Sequence, residues 1–135
     1  MKKYVIGLLA VFVLSACGGG SSESIQGEWK LISHGSGSNQ IPAVADVGAS
    51  IEFDSEGRMS GNVGCNNFGG KYTVDGDTIK FGAIMSTEMF CEGPVGGQES
   101  AVLSVLQEST TFMLDGNMMT ITSANGDASI VLELQ

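Results

Sequence analysis

After residue 24, apolar and polar residues alternate with a period of two along most of the chain, and Gly-centred turns separate the alternating runs. That is the pattern of half-buried strands. Gly27-Glu28-Trp29-Lys30-Leu31-Ile32 puts Trp29 and Leu31 on one face, and a Gly- and Ser-rich loop is predicted over residues 33–48. Residues 50–54 turn at Ser55-Glu56-Gly57 into 58–62, and 71–74 turn at Asp75-Gly76-Asp77 into 78–81. Residues 111–114 turn at Asp115-Gly116-Asn117 into 118–122, and Asn125-Gly126-Asp127 leads into 129–134. Asp-Gly and Asn-Gly supply the positive φ that short hairpin loops require, so the turns predict an antiparallel meander.

One segment breaks the period. Over residues 98–107, Val102, Val105 and Leu106 fall on one helical stripe that Leu103 widens, and Glu99 near the predicted start suits the positive end of the helix dipole. A three-turn helix is marginal alone in water, so it must lay that stripe on the sheet. The predicted core is Trp29, Leu31, Ile51, Phe53, Tyr72, Val74, Ile79, Phe81, Val102, Leu106, Phe112, Leu114, Ile121, Ile130 and Leu132. The expected fold class is β-rich α+β, a barrel-like antiparallel meander of six to nine strands packed on one helix at about 98–107.

The beginning of the chain follows a different logic. Met1-Lys2-Lys3 is positive, and Tyr4 to Ala16 is a nearly all-apolar run of 13 residues. A spanning helix needs about 20 such residues, so residues 1–16 read as an export signal. Leu14-Ser15-Ala16-Cys17 is similar to a bacterial lipobox, which makes Cys17 the expected lipid-bearing N-terminus and the membrane an expected partner. Residues 17–24 are Gly- and Ser-rich and read as a flexible tether, leaving 25–135 as one domain. Gly18 stands where lipoproteins retained at the inner membrane carry Asp, so the expected location is the outer membrane, facing the periplasm.

Charge and cysteines narrow the chemistry. The net charge is −9, and cleavage before Cys17 removes two of the six basic residues. Such a surface repels phosphate backbones, so no nucleic-acid partner is expected. Cys65 and Cys91 are an even pair in a chain bound for an oxidising compartment, and a bridge between them is the expected pairing; two free buried thiols are the alternative. Two Cys and a distant His34 fall short of a zinc site, so no metal and no cofactor are expected. His34, in Ser33-His34-Gly35-Ser36-Gly37, reads as a solvated loop residue. Asp54/Glu56 and Asp75/Asp77 bracket hairpin turns and read as turn chemistry rather than an acid–base pair. The methionines read as gap-filling core and strand residues. No catalytic residue is assigned.

The ordered motifs resemble a known family. Gly27-x-Trp29-x-Leu31, the run Ser60-Gly61-Asn62-Val63-Gly64-Cys65-Asn66-Asn67-Phe68-Gly69-Gly70-Lys71-Tyr72, and Ser86-Thr87-Glu88-Met89-Phe90-Cys91 are similar to the META domain, also called HslJ-like, over about residues 25–134. Where that family usually has a basic residue around position 89, this chain reads Glu88-Met89-Phe90. The resemblance implies a small, often lipid-anchored envelope protein linked to heat shock and antibiotic tolerance, without an established enzymatic activity. Around Cys65, Asn66 and Asn67 either pin a stapled structural corner or, with Tyr72, present a recognition patch for an envelope protein or a small ligand. On the second reading, alanine at Asn66 and Asn67 spares stability. The rival functions are an assembly accessory using an exposed strand edge and, last, a hydrolase with His34 as base.

Overall fold

The structure is a computed structural model that describes residues 22–135; the predicted signal 1–16, Cys17 and the tether to residue 21 lie outside the described residues. The alternating segments form β1 (Gly27–Ser36), β2 (Asn39–Pro42), β3 (Ser50–Phe53), β4 (Arg58–Asn62), β5 (Asn67–Asp75), β6 (Thr78–Phe81), β7 (Met85–Ser86), β8 (Ser109–Asp115), β9 (Met118–Thr122) and β10 (Ser129–Leu134). One helix, α1 (Gly93–Val105), lies between β7 and β8 in the chain. Eight strands pair in the order β10-β9-β8-β6-β5-β4-β3-β1, and antiparallel pairing of β1 with β10 closes them into a barrel. The two short strands are additions, β2 on β1 and β7 on β5. Every barrel strand therefore finds both neighbours within residues 22–135, and this segment carries its own fold.

The four predicted turns form where their glycines stand, with Gly57, Gly76, Gly116 and Gly126 all at positive φ. The predicted core is buried with two exceptions. Val74 is half-buried, and Leu114 is 38% exposed. Leu114 shares the inward face of Phe112 but sits at the open end of β8, beside the Asp115-Gly116 turn, where no layer covers it. The core also takes residues that alternation did not single out, among them Ile25, Met59, Val63, Phe68 and Met119. Ile25 ends a short 3-10 turn (Ser22–Ile25) that takes in the last residues of the predicted tether, and its carbonyl accepts a 2.8 Å hydrogen bond from Trp29 Nε1.

The predicted loop 33–48 is a correction. β1 continues to Ser36 and hairpins into β2, with Ser36 opposite Asn39. Between Leu31 and Ser33 the pairing with β10 slips by one residue, a β-bulge. A bulge inverts which side chains face inward. Trp29 and Leu31 point to the core before it, and His34, opposite Ile130, points inward after it. Gly35 then lets the hairpin close: a Cβ there would lie 2.0 Å from the Asn39 carbonyl oxygen. Gly35→Ala is expected to force the hairpin backbone apart at a cost of about 2 kcal/mol, measured by urea unfolding.

The helix also begins earlier than predicted, at Gly93, with Pro94 in its first turn. Its stripe of Val102, Val105 and Leu106 is buried, and it packs on β1 and β10. The sequence of α1 is poor in helix formers, and polar clamps fix its position. The fully buried Gln98 accepts from Val44 N at 2.8 Å and donates to the Val63 carbonyl at 2.7 Å. Glu99 lies in the second turn rather than at the dipole's positive end, and its carboxylate is bound to Asn66. Gly96 packs against the backbone of Cys91, where a Cβ would lie 2.0 Å from the carbonyl oxygen.

Candidate functional site

Two regions gather polar groups off the barrel wall. The first is the corner after β4. Cys65 and Cys91 are disulfide-bonded, with Cα atoms 6.1 Å apart. Beside them Asn66 is 4% exposed, and its backbone N–H and both polar atoms of its side chain are hydrogen-bonded. Its backbone N–H and side-chain amide donate to the two Glu99 oxygens at 2.6 and 2.7 Å, and the amide also reaches the Met89 carbonyl at 3.0 Å. Its side-chain oxygen accepts from Met89 N and Thr87 Oγ1, both at 2.8 Å. One buried amide thus joins the disulfide, the segment before it and the helix.

The second region is a cleft of about 810 Å³ between α1 and the β1–β2 hairpin. Ile41, Pro42, Val44, Pro94, Ala101 and Val105 give it apolar walls, and none of its lining residues is Asp, Glu, Lys or Arg. Gln40 crosses one side, accepting from Ser33 Oγ and donating to Ser129 Oγ, both at 2.9 Å. His34 lies at its edge, 7% exposed. Its ring makes no hydrogen bond among the described residues, yet no fully buried polar side-chain atom there lacks a partner. Its nitrogens therefore reach the cleft surface. Burial lowers the imidazole below its ordinary pKa, so it is neutral at pH 7 with one donor and one acceptor. The expectation of a solvated loop histidine is corrected by the bulge that turns the ring inward.

The sequence pattern of the META domain matches residues 23–135. This chain belongs to the META domain family. Among solved structures, a protein from Burkholderia xenovorans determined by NMR is similar at 18% identity and a TM-score of 0.69, covering 97% of this chain and 99% of that one. A second NMR structure, 19% identical, has a TM-score of 0.66 over 84% of this chain and 94% of that one. The crystal structure of a DUF4847 family protein from Bacteroides vulgatus is 13% identical, with a TM-score of 0.57, covering 81% and 92% of the two chains. At these identities the likeness concerns the fold. The search of curated proteins found no match.

Within this META domain, the three residues of the expected recognition patch do not share a surface. Asn66 is interior, Asn67 is exposed, and Tyr72 is 3% exposed. Tyr72 packs edge-on against Phe53 at 5.0 Å and donates its hydroxyl to the Asp54 carbonyl at 2.7 Å. Burial, and then the nearby Asp54 carboxylate, raise its phenol above the ordinary value. Asp54 itself organises the β3–β4 turn, accepting from the N–H groups of Glu56 and Arg58 at 2.8 Å and from Arg58 Nε at 3.0 Å. The Arg58 N–H bond is the main reason its carboxyl sits below the usual range. Asp75 pairs loosely with Lys80, at 3.8 Å, across the β5–β6 turn. Asp54 thus serves its turn, whereas Asp77 accepts only a 3.4 Å bond from the neighbouring Thr78 hydroxyl. Among the described residues no three His, Cys, Asp or Glu side chains converge as a metal site, and no helix is long and apolar enough to cross a membrane.

The cleft was not legible in the sequence. Its walls come from three distant segments, and the one local signal, two adjacent apolar residues at Leu31-Ile32 that break the alternation, marks the bulge without saying what it exposes.

Proposed function

We propose that this META domain is a non-enzymatic, lipid-anchored envelope protein that binds a small ligand or a protein, in heat or envelope stress or antibiotic tolerance. It would be exported by residues 1–16, modified on Cys17 and held at the outer membrane facing the periplasm. The observation that carries binding is the uncharged cleft beside α1, with His34 at its edge lacking a hydrogen-bond partner among the described residues. Catalysis by that imidazole fits poorly, because a general base is normally oriented by a hydrogen-bonded neighbour and this ring has none among the described residues. The disulfide suits an oxidising compartment.

Anchoring is tested by expressing the full-length protein in a two-membrane bacterium fed a labelled fatty acid. The label should follow the protein into the outer-membrane fraction and be lost in Cys17→Ser. Unlabelled wild-type protein in the soluble fraction would refute the anchor.

A second reading, an assembly accessory, is favoured by the edges of β2 and β7, each paired on one side only among the described residues, and by exposed Met85 in β7 and Met89 and Phe90 after it. It requires a partner captured by crosslinking in the envelope and abolished by Phe90→Asp.

A further inference from the structure

Four features of the α1 cleft specify what it can hold. The first is size, since about 810 Å³ lies in the range of small-molecule sites. The second is charge. The chain carries −9 overall, yet no ionised side chain lines the cleft. An ionic ligand entering it would give up its hydration for walls without a counter-charge, which is strongly unfavourable.

The third feature is His34. His34 is buried as a residue and its ring has no hydrogen-bond partner among the described residues, yet neither ring nitrogen is fully buried, and the residue lines the cleft. Water reaches the nitrogens in the open cleft, and a bound polar atom takes the place of that water.

The fourth is Gly97. Glycine inside a helix is destabilising relative to alanine unless close packing or a bound group offsets it. Gly96 has close packing, against the Cys91 carbonyl. Gly97 has none: a Cβ there would meet nothing within 4 Å. Its side is the cleft wall, and the missing side chain leaves the helix backbone open to an occupant.

We propose that the α1 cleft binds an uncharged, largely apolar small molecule through Ile41, Ala101, Val105 and the bare face of Gly97, with one polar group of that molecule hydrogen-bonded to His34. This rests on the reading of the domain as a binding module and adds the class of ligand.

The test uses the chain from residue 18 onward, which carries the whole fold and no lipid that would absorb an apolar dye. The probes are N-phenylnaphthylamine, which is neutral and has one N–H, and anilinonaphthalene sulfonate, a similar skeleton with a negative charge. The neutral probe should bind saturably, at least tenfold more tightly than the sulfonate. Gly97→Leu fills the cleft and improves helix propensity, so it should abolish binding while the melting temperature holds or rises. Ser104→Trp, at an exposed helix position on the cleft rim, should block binding without that rise. His34→Phe should weaken the neutral probe about fivefold, the weight of one neutral hydrogen bond.

Equal or tighter binding of the sulfonate would overturn the ligand class and leave a binding module standing. Saturable binding that survives both Gly97→Leu and Ser104→Trp would overturn the site. Failure of both probes to bind saturably would remove the binding reading itself.

Discussion

Asn66→Ala is expected to lower the unfolding free energy by about 2–3 kcal/mol, a large share of what a small domain can spare. The side chain is buried, and its removal strands partners on two segments at once, 87–89 and α1. Met89 loses the acceptor for its N–H and a donor to its carbonyl, Thr87 Oγ1 loses its acceptor, and the Glu99 carboxylate keeps only the backbone N–H at 2.6 Å. Leaving a buried donor or acceptor unpaired costs about 1–3 kcal/mol; Thr87 and Met89 are exposed residues whose freed groups regain water, and the groups form one network, so the losses do not simply add. Guanidinium unfolding of the chain from residue 18 onward measures the effect. Asn67→Ala is the control. Asn67 is exposed, its side chain accepts only from Asn62 Nδ2 at 2.9 Å, and the change should stay within about 1 kcal/mol. Equal effects at the two positions would contradict the hub.

Breaking the disulfide is expected to be comparably damaging. Cys65 and Cys91 stand 26 residues apart, and closing a loop of that length removes about 3–4 kcal/mol of entropy from the unfolded chain. For a domain of this size the Cys65→Ser/Cys91→Ser double variant should melt roughly 10–20 °C lower, by circular dichroism. The bridge and Asn66 hold the same segment against the helix, so their losses should overlap. Asn66→Ala should cost less in the double serine background than in the disulfide-bonded protein. Strict additivity would mean that the two act on separate parts of the fold.

These two effects mark where sequence reasoning succeeds and where it stops. The β3–β4, β5–β6 and β8–β9 hairpins were legible because a period of two and a glycine at positive φ are local properties. The helical stripe Val102, Val105 and Leu106 was legible for the same reason, and so was the cysteine pair. Asn66 was legible in part. The stapled corner that it pins is read from Gly-Cys-Asn-Asn, and its bonds to Thr87 and Met89 agree with that reading, but its other partner, Glu99, lies 33 positions away and left no local signal. His34 was misread because a single inserted residue at the bulge reverses the parity of everything after Leu31 on β1. The helix start was misplaced because Gly93-Pro94-Val95-Gly96-Gly97 has little helical propensity. Its conformation is imposed by Gln98 and by the close fit of Gly96 on Cys91.

The closure of β1 on β10 constrains the order in which the molecule can be made. Trp29 pairs with Leu134, and Gln135 N donates to the Glu28 carbonyl at 2.9 Å, so β1 keeps an open flank until residues 129–135 have been made. A ribosome that still covers those residues holds an unfinished sheet. The nascent chain stays threadable up to that point, and a break in the chain ahead of β10 would yield a molecule that never seals.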